Sequence, residues 1–188
     1  MGMNFPIGLK VILFIFFIPL IIKQFKLTKN IVMVTFITGF IIYAIELISV
    51  VFFPITFYPP MPNYTPNVNI VPMKDIIILM RLQPINIVIK NVVGNIILFI
   101  PFGFFVPIIY RNMNKFNYTL LLGLYFSIFI EIVQFIIDYL TKYPNHTSDV
   151  NDVILNIIGL ILGFIIQRGI RKVSFMANYI NNVANKIE

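Results

Sequence analysis

The fold is decided by residues 91–164, which read NVVGNIILFIPFGFFVPIIY (91–110), LLLGLYFSIFIEIVQFIID (120–138) and DVNDVILNIIGLILGF (149–164). Each apolar run approaches the length of about 20 residues that a helix needs to cross the hydrocarbon of a bilayer. Ionisable and amide side chains are costly there, so each requires a partner or a function. Six polar residues raise this question: Asn95, Glu131, Gln134, Asp149, Asp152 and Asn156.

The composition is that of a membrane protein. The chain has 188 residues, of which 59% are hydrophobic and 11% are charged, against about 25% charged in a soluble domain. Cysteine is absent, which excludes disulfides and thiolate chemistry, and with a single histidine we predict no metal site and no cofactor. The net charge of +7 lies mostly at segment ends, which indicates contact with membrane lipids and not with nucleic acid.

The hydropathy pattern predicts an all-α polytopic membrane protein. We expect five transmembrane helices at about 5–22, 31–53, 92–110, 118–137 and 150–167. Residues 54–90 hold many prolines, which lack the donor that a helix needs, so we expect an extended loop with a short interfacial helix near 76–80. Residues 168–188 should form a polar tail, and 1–188 a single domain.

The distribution of lysine and arginine predicts the orientation. With five spans, nine basic residues fall on one side: Lys23, Lys26, Lys29, Arg111, Lys115, Arg168, Arg171, Lys172 and Lys186. Five fall on the other: Lys10, Lys74, Arg81, Lys90 and Lys142. Because the cytoplasmic side carries the excess, we predict that the N-terminus is outside, the proline-rich loop is outside, and the C-terminal tail is cytoplasmic.

With that orientation, the polar residues converge on the outer half of the bundle. Residues three, four or seven apart share a helix face, and each group of polar residues follows this spacing. We therefore predict an outward-facing polar cavity under the proline-rich loop. Its candidate residues are Glu46, Asn91, Asn95, Glu131, Gln134, His146, Asp149, Asp152 and Asn156.

Several of these residues also have structural interpretations. Asn95 and Asn156 could be hydrogen bonds between helices. Asp149 precedes an apolar run and could cap the last helix, with Asp152 in its first turn. His146 lies in a polar turn, where a lone histidine is usually solvated. Glu131 is the hardest to explain structurally, because it lies deep in a span; a lysine or arginine of the outer loop could pair with it.

Four blocks of the sequence resemble the VanZ-like family: NIVPMKDI, NIILFIPFGFFVP, IFIEIVQF and SDVNDVILNIIGLILGF, together covering about residues 68–166. The resemblance implies a small multi-spanning protein of the bacterial cytoplasmic membrane. For the member that names the family, it implies low-level resistance to lipid-tailed glycopeptides such as teicoplanin. Family members commonly carry an arginine shortly before the first aspartate of the last block, whereas this chain has PNHTSD, with His146 nearest.

Three functions remain open at this stage. The first is a non-enzymatic protein whose cavity binds or excludes amphiphiles, such as a lipid-tailed antibiotic or a lipid-linked wall precursor. The second is an intramembrane enzyme acting on a lipid phosphate or lipid-linked sugar or cell-wall precursor. Its candidate catalytic residues are Glu131 and Asp152, with Glu131 as acid or base and with Asp149 and Asp152 as base or metal ligands. The third is a transporter, for which five spans without a repeat are few unless the chain forms a homo-oligomer. No nucleotide or hydrolase motif is present, and we favour the first.

Overall fold

A computed structural model describes residues 2–110 and 114–172. Most of the described chain is helical, with four two-residue strands, and five of its helices are long and apolar enough to cross a membrane. This confirms the predicted all-α polytopic membrane protein. The elements are β1 (Gly2–Met3), α1 (Ile7–Thr28), α2 (Ile31–Phe52), β2 (Ile55–Thr56), β3 (Val68–Asn69), α3 (Lys74–Leu82), α4 (Ile85–Ile109), α5 (Phe116–Thr141), β4 (Ser148–Asp149) and α6 (Val150–Lys172).

The spanning helices are longer than their apolar cores. The predicted end of the loop at residue 90 was wrong, because α4 starts at Ile85, directly after Pro84, and not near residue 92. Helical hydrogen bonds continue through the polar residues of the membrane interface. Hydropathy therefore indicates which residues lie in the hydrocarbon, but it does not show where the helix begins or ends. For the same reason α1 continues to Thr28, and α6 continues through the first residues of the predicted tail. The remainder of that tail, 173–188, lies outside the described residues.

Helices α1 and α2 form a hairpin whose turn is set by two residues. Lys29 ends α1 in the left-handed conformation, with φ of 49°, a common way for a helix to stop. Asn30 then caps α2, because its side chain accepts hydrogen bonds from the backbone N–H groups of Val32 at 3.0 Å and Met33 at 3.4 Å. The chain therefore reverses in two residues, and the two helices lie side by side.

Helices α4 and α6 form the centre of the bundle and approach each other through glycine. A Cβ on Gly103 of α4 would overlap the carbonyl oxygen of Leu160 on α6. Cβ atoms on Gly159 and Gly163 of α6 would overlap the carbonyl oxygens of Ile96 and Ile100 on α4. The G-x-x-x-G face of α6 thus permits direct backbone contact, as such faces do in membranes.

The loop that follows α2 is held to the start of α6. Strand β3 pairs in parallel with β4, so that Asn69 lies opposite Asp149. The backbone N–H of Met73 donates to Asn151 Oδ1 at 2.6 Å, and that of Met61 donates to the carbonyl of Lys142 at 3.2 Å. These contacts bring the loop and the turn at 142–149 to one end of the bundle, which we call the loop end. The opposite end carries the α4–α5 connection, and we call it the turn end.

Candidate functional site

A cavity of about 500 Å³ opens among α2, α4, α5, α6 and the turn at 142–149, towards the loop end. Its apolar wall comes from side chains such as Val51, Leu98 and Ile130. Seven of the nine predicted residues line it: Asn91, Asn95, Glu131, Gln134, His146, Asp152 and Asn156. Lys90 is the eighth polar residue in the wall. Polar groups on separate helices therefore meet in one place, although the sequence separates Lys90 from Asn156 by 66 positions.

Helices α4 and α6 contribute a hydrogen-bonded pair of side chains. Asn95 Nδ2 donates to Asp152 Oδ1 at 2.6 Å. Four residues later on α6, Asn156 Nδ2 donates to Ser127 Oγ of α5 at 2.9 Å. Asn156 is only 2% exposed, and its Oδ1 has no hydrogen-bond partner. Both asparagines therefore connect helices, as the structural interpretation expected, and both also line the cavity.

Glu131 and Gln134 of α5 lie one turn apart in the cavity wall. Glu131 Oε2 accepts a hydrogen bond from the backbone N–H of Asp149 at 2.9 Å. One carboxylate oxygen thereby satisfies a donor at the start of α6, which would otherwise lack an intrahelical partner. Gln134 Nε2 donates to the carbonyl of Val51 at 3.1 Å, whereas its Oε1 has no hydrogen-bond partner.

A buried aspartate organises the turn that carries His146. Asp138 is 3% exposed and accepts hydrogen bonds from the backbone N–H groups of Asn145 and His146 and from the hydroxyl of Tyr64. His146 Nδ1 lies 3.6 Å from Asp138 Oδ1. Burial lowers the pKa of His146, and the charge of Asp138 opposes that shift. The pKa of Tyr64 is raised by burial and then by Asp138. His146 is therefore a buried, neutral part of the cavity wall and not a solvated turn residue.

Glu46 does not belong to the cavity, which corrects the prediction. It lies on the face of α2 that meets α1, where Lys10 Nζ approaches its Oε2 at 2.7 Å. Tyr43, one turn earlier, points instead to α4 and donates to the carbonyl of Leu98 at 2.9 Å. Three residues rotate a helix by about 300°, so these neighbours diverge to different partners even though they share a broad face.

Asp149 is the second predicted residue outside the cavity. Its Oδ1 accepts hydrogen bonds from the backbone N–H of Asn151 at 2.9 Å and from Asn69 Nδ2 at 2.9 Å. This is the capping geometry that the sequence offered as the structural interpretation. The residue lines a different feature, an apolar groove of about 390 Å³ between α5, α6 and β3. Glu131 lines both the groove and the cavity, so it marks the boundary between them.

The sequence analysis missed three polar residues that the site uses. Asp138 falls seven residues after Glu131 and four after Gln134, so the helical period could have found it. Lys90 was counted only as an interfacial charge, but it lines the cavity because α4 begins earlier than predicted. Asn151 is 2% exposed and joins the loop to α6. No periodic signal distinguishes it, since its partner is a backbone group in a distant loop.

The chemical character of the cavity is that of a polar binding site with an apolar wall. Its carboxyl groups, Glu131 and Asp152, lie on facing helices, and Lys90 supplies a cation. Among residues 2–110 and 114–172, no three side chains of the metal-binding types cluster closely enough to hold a metal ion. The arrangement suits hydrogen bonding to a ligand that carries both polar and apolar parts.

The comparisons with known proteins identify a family over most of the chain. A family model described as VanZ/LLP1 matches residues 40–171, which run from α2 to the end of α6. The match includes all eight polar residues of the cavity and leaves out α1. Neither the search of curated proteins nor the search of solved structures found a match.

Proposed function

The chain belongs to the VanZ/LLP1 family, and we propose that it is a multi-pass protein of the bacterial cytoplasmic membrane whose cavity binds the head group of an amphiphile. The observation that carries this proposal is the convergence of eight polar residues on one cavity of about 500 Å³ in an otherwise apolar bundle. A polar cavity in a membrane is costly unless ligand or water fills it. Its volume falls within the range of small-ligand sites.

The apolar groove beside the cavity supports an amphiphilic ligand. The groove lies on the α5–α6 side of Glu131, and its wall comes from residues such as Ile128, Phe135 and Val153. A ligand head held near Glu131 would therefore lie next to a surface that can take part of its tail. An amphiphile reaches such a site from the bilayer and needs no entry path through water.

Cavity filling tests this function directly. Gly94 lines the cavity, and a Cβ at this position meets nothing within 4 Å. A phenylalanine at this position therefore occupies the cavity without a clash at the backbone. Gly169, at the turn end of α6, has equally open surroundings and provides the matched control. The purified chain and the variants Gly94→Phe and Gly169→Phe are placed in phosphatidylcholine nanodiscs and exposed to amphiphiles that share a dodecyl tail.

Native mass spectrometry then counts the amphiphiles bound to each variant. We expect at least one head group to bind the wild type at one per chain, with retention after Gly169→Phe and loss after Gly94→Phe. Equal binding by all three proteins, or no binding by any, would overturn the proposed function.

Resistance to lipid-tailed glycopeptides is the physiological consequence that we propose. Strains that express the wild type, Gly94→Phe, Glu131→Gln or Asp152→Asn are compared for susceptibility to teicoplanin and to vancomycin. We expect the wild type to raise the inhibitory concentration of teicoplanin alone, and each cavity variant to reduce that effect. An equal response to both drugs would contradict recognition of the lipid tail.

The orientation is part of the proposal, because an extracellular ligand requires an outward cavity. The excess of basic residues at the turn end favours a cytoplasmic turn end, which places the loop end and the cavity outside. Reporter fusions after Phe53 and after Glu188 test it. We expect a reporter that is active only in the cytoplasm to be silent at Phe53 and active at Glu188, and the reverse pattern would place the cavity inside.

An intramembrane enzyme is the second candidate, and one observation favours it. Glu131 and Asp152 line the same cavity with different partners, a backbone N–H and an asparagine amide, and carboxyl groups in different surroundings can divide acid and base roles. The enzyme would act on a lipid phosphate or a lipid-linked precursor. Lipid extracts from cells with the wild type and with Glu131→Gln should then differ in mass, and identical profiles would contradict catalysis.

A further inference from the structure

Three of the side-chain amides that line the cavity direct their NH₂ groups to partners within the protein. This orientation bears on which ligand the cavity can accept. Asn95, Gln134 and Asn156 each use the NH₂ group of the amide within the protein: for Asp152, for the carbonyl of Val51 and for Ser127, respectively. A backbone carbonyl can only accept a hydrogen bond, so the contact with Val51 fixes the orientation of the Gln134 amide. One of the two N–H donors of each amide is therefore already used by the protein.

Unsatisfied acceptors remain in the cavity wall. Asn156 Oδ1 and Gln134 Oε1 are buried and have no hydrogen-bond partner. His146 Nδ1 is not one of them, because it lies 3.6 Å from Asp138 Oδ1 and the ring nitrogen that faces a carboxylate carries the proton. A buried acceptor without a donor costs free energy, and two such atoms in the wall of one cavity point to a ligand that supplies donors.

The carboxyl groups of Glu131 and Asp152 add further oxygen atoms to this acceptor-rich wall. Glu131 and Gln134 lie one turn apart on α5, and Asp152 and Asn156 lie one turn apart on α6, with the cavity between the two helices. An anionic head group would meet oxygen acceptors on both sides, and only Lys90 would attract it. A neutral sugar would supply donors but no charge. A quaternary ammonium would supply charge but no N–H group.

We propose that the cavity selects amphiphiles whose head group carries a protonated primary amine, which donates to Asn156 Oδ1 and Gln134 Oε1 beside the carboxyl groups of Glu131 and Asp152. This inference rests on the proposed function, since it names the chemistry of the ligand for the same cavity. An alkylammonium supplies three N–H donors together with a positive charge, and its hydrogen bonds to carboxylates are charge-assisted and strong.

Four probes with the same dodecyl tail separate these properties. Dodecylammonium has charge and donors, dodecyltrimethylammonium has charge alone, dodecyl maltoside has donors alone, and dodecyl phosphate has the opposite charge. Binding is measured by native mass spectrometry in phosphatidylcholine nanodiscs, whose choline head groups carry no N–H donor and give all four probes the same background of quaternary ammonium. We expect dodecylammonium to bind the wild type about tenfold more tightly than any other probe, since a charge-assisted hydrogen bond accounts for a factor of this order.

Two variants test whether these residues cause the preference. Glu131→Gln keeps an oxygen that can accept from Asp149 and removes the ionisable carboxyl group. Gln134→Met keeps the length of the side chain and removes the acceptor. We expect each to reduce the preference for dodecylammonium over dodecyltrimethylammonium or dodecyl maltoside to about threefold or less. Unchanged thermal midpoints, measured by circular dichroism, show that the variants remain folded. If one variant does not remain folded, the other variant decides the test.

The outcomes separate this inference from the proposed function. If dodecyl maltoside or dodecyl phosphate binds as tightly as dodecylammonium, and Gly94→Phe abolishes that binding, the cavity binds amphiphiles but does not select an amine. If dodecyltrimethylammonium equals dodecylammonium, charge alone is recognised and the hydrogen-bond argument is wrong. If no probe of any head group binds in a way that Gly94→Phe removes, the proposed function itself fails.

Discussion

The two helix pairs of the bundle are held together in different ways. In the most apolar windows of α4 and α6, 33% and 39% of the residues are buried, against none in α1 and 22% in α2. The α4–α6 pair packs backbone against backbone through glycine. The α1–α2 pair packs side chain against side chain and adds an ion pair between Lys10 and Glu46. Five of the eight polar residues of the cavity lie on the first pair, whereas α2 adds only the apolar side chains of Val50 and Val51.

This difference indicates which half of the molecule the function constrains. Hydrophobic burial drives little association between helices in lipid, so shape and polar contacts decide which helices pack closely. Complementary shape and a polar contact are both present between α4 and α6. The glycines set the spacing of the two helices, and Asn95 donates a hydrogen bond to Asp152 between them. The family match covers α4 and all but the last residue of α6, and it leaves out α1 and the first part of α2. We therefore expect substitutions in the α4–α6 pair to have the largest effects.

Substitution of a glycine at the α4–α6 contact should have the largest effect of all. We expect Gly163→Leu to prevent folding and Gly163→Ala to destabilise by about 1–3 kcal/mol, because the added Cβ overlaps the carbonyl oxygen of Ile100 and the helices must separate. The measurement is the yield of monodisperse protein in dodecyl maltoside, followed by thermal unfolding.

The control for this prediction lies on the same helix. Gly169 has open space around its Cβ position, and we expect Gly169→Leu to fold with wild-type yield. A Gly163→Leu protein as stable as Gly169→Leu would show that the backbones do not touch, and the contrast between the two helix pairs would lose its basis.

Removal of the Asp138 carboxylate should have the next largest effect. The variant Asp138→Ala leaves the backbone N–H groups of Asn145 and His146 without their acceptor in a partly buried turn, which costs about 1–3 kcal/mol for each group at most. We expect Asp138→Asn to lose less, since its amide oxygen still accepts. The thermal midpoint measures stability, and hydrogen exchange of the turn localises the change. Equal losses in both variants would indicate that charge and not hydrogen bonding holds the turn.

The sequence predicted much of this architecture because hydrophobicity acts over whole helices. Five spans follow from the length of the apolar runs, and the shared level of the polar residues follows from helical rise together with the order of the spans. Both inferences average over a whole helix, so an error of several residues in a helix boundary changes them little. The shift of the α4 start from residue 92 to Ile85 therefore left the polar groups at the same end of the bundle.

The partners of individual residues could not be predicted in the same way. Glu46 and Glu131 look alike in the sequence, since each is a carboxylate inside an apolar helix. In the structure the first pairs with Lys10 and the second accepts a backbone N–H from Asp149. That choice depends on the rotation of each helix about its axis, which the packing of all neighbours sets together. A single sequence does not contain this information in a readable form.

Removal of the Lys10–Glu46 ion pair should have a smaller effect than substitution of the glycines, and it tests the contact between α1 and α2. The two side chains are 26% and 52% exposed, so we expect Lys10→Met and Glu46→Gln each to cost no more than about 1 kcal/mol. The double variant should recover most of that loss, because it leaves no charge without a partner. Thermal unfolding of the four proteins gives the coupling free energy. Lys26→Met, at the other end of α1, serves as the single-charge control, and purely additive losses would argue that the ion pair is not formed.

The smallest expected effect is a dependence of stability on pH through His146, in the turn that leads into α6. Burial lowers its pKa below the unfolded value of about 6.5. Above pH 6.5 both states are neutral at this site, and His146 adds no pH dependence. As the pH falls through the interval between the unfolded and the folded pKa, the unfolded chain binds a proton at His146 that the native chain does not bind. The free energy of unfolding therefore decreases. We expect His146→Asn to lessen the loss of thermal midpoint between pH 7 and pH 5 by less than about 4 °C. The difference between the two proteins isolates this residue from the carboxyl groups, which titrate in both. If the wild type instead gained stability relative to His146→Asn on acidification, protonated His146 would be paired with Asp138 in the native turn, and the ring would not be neutral in the native protein.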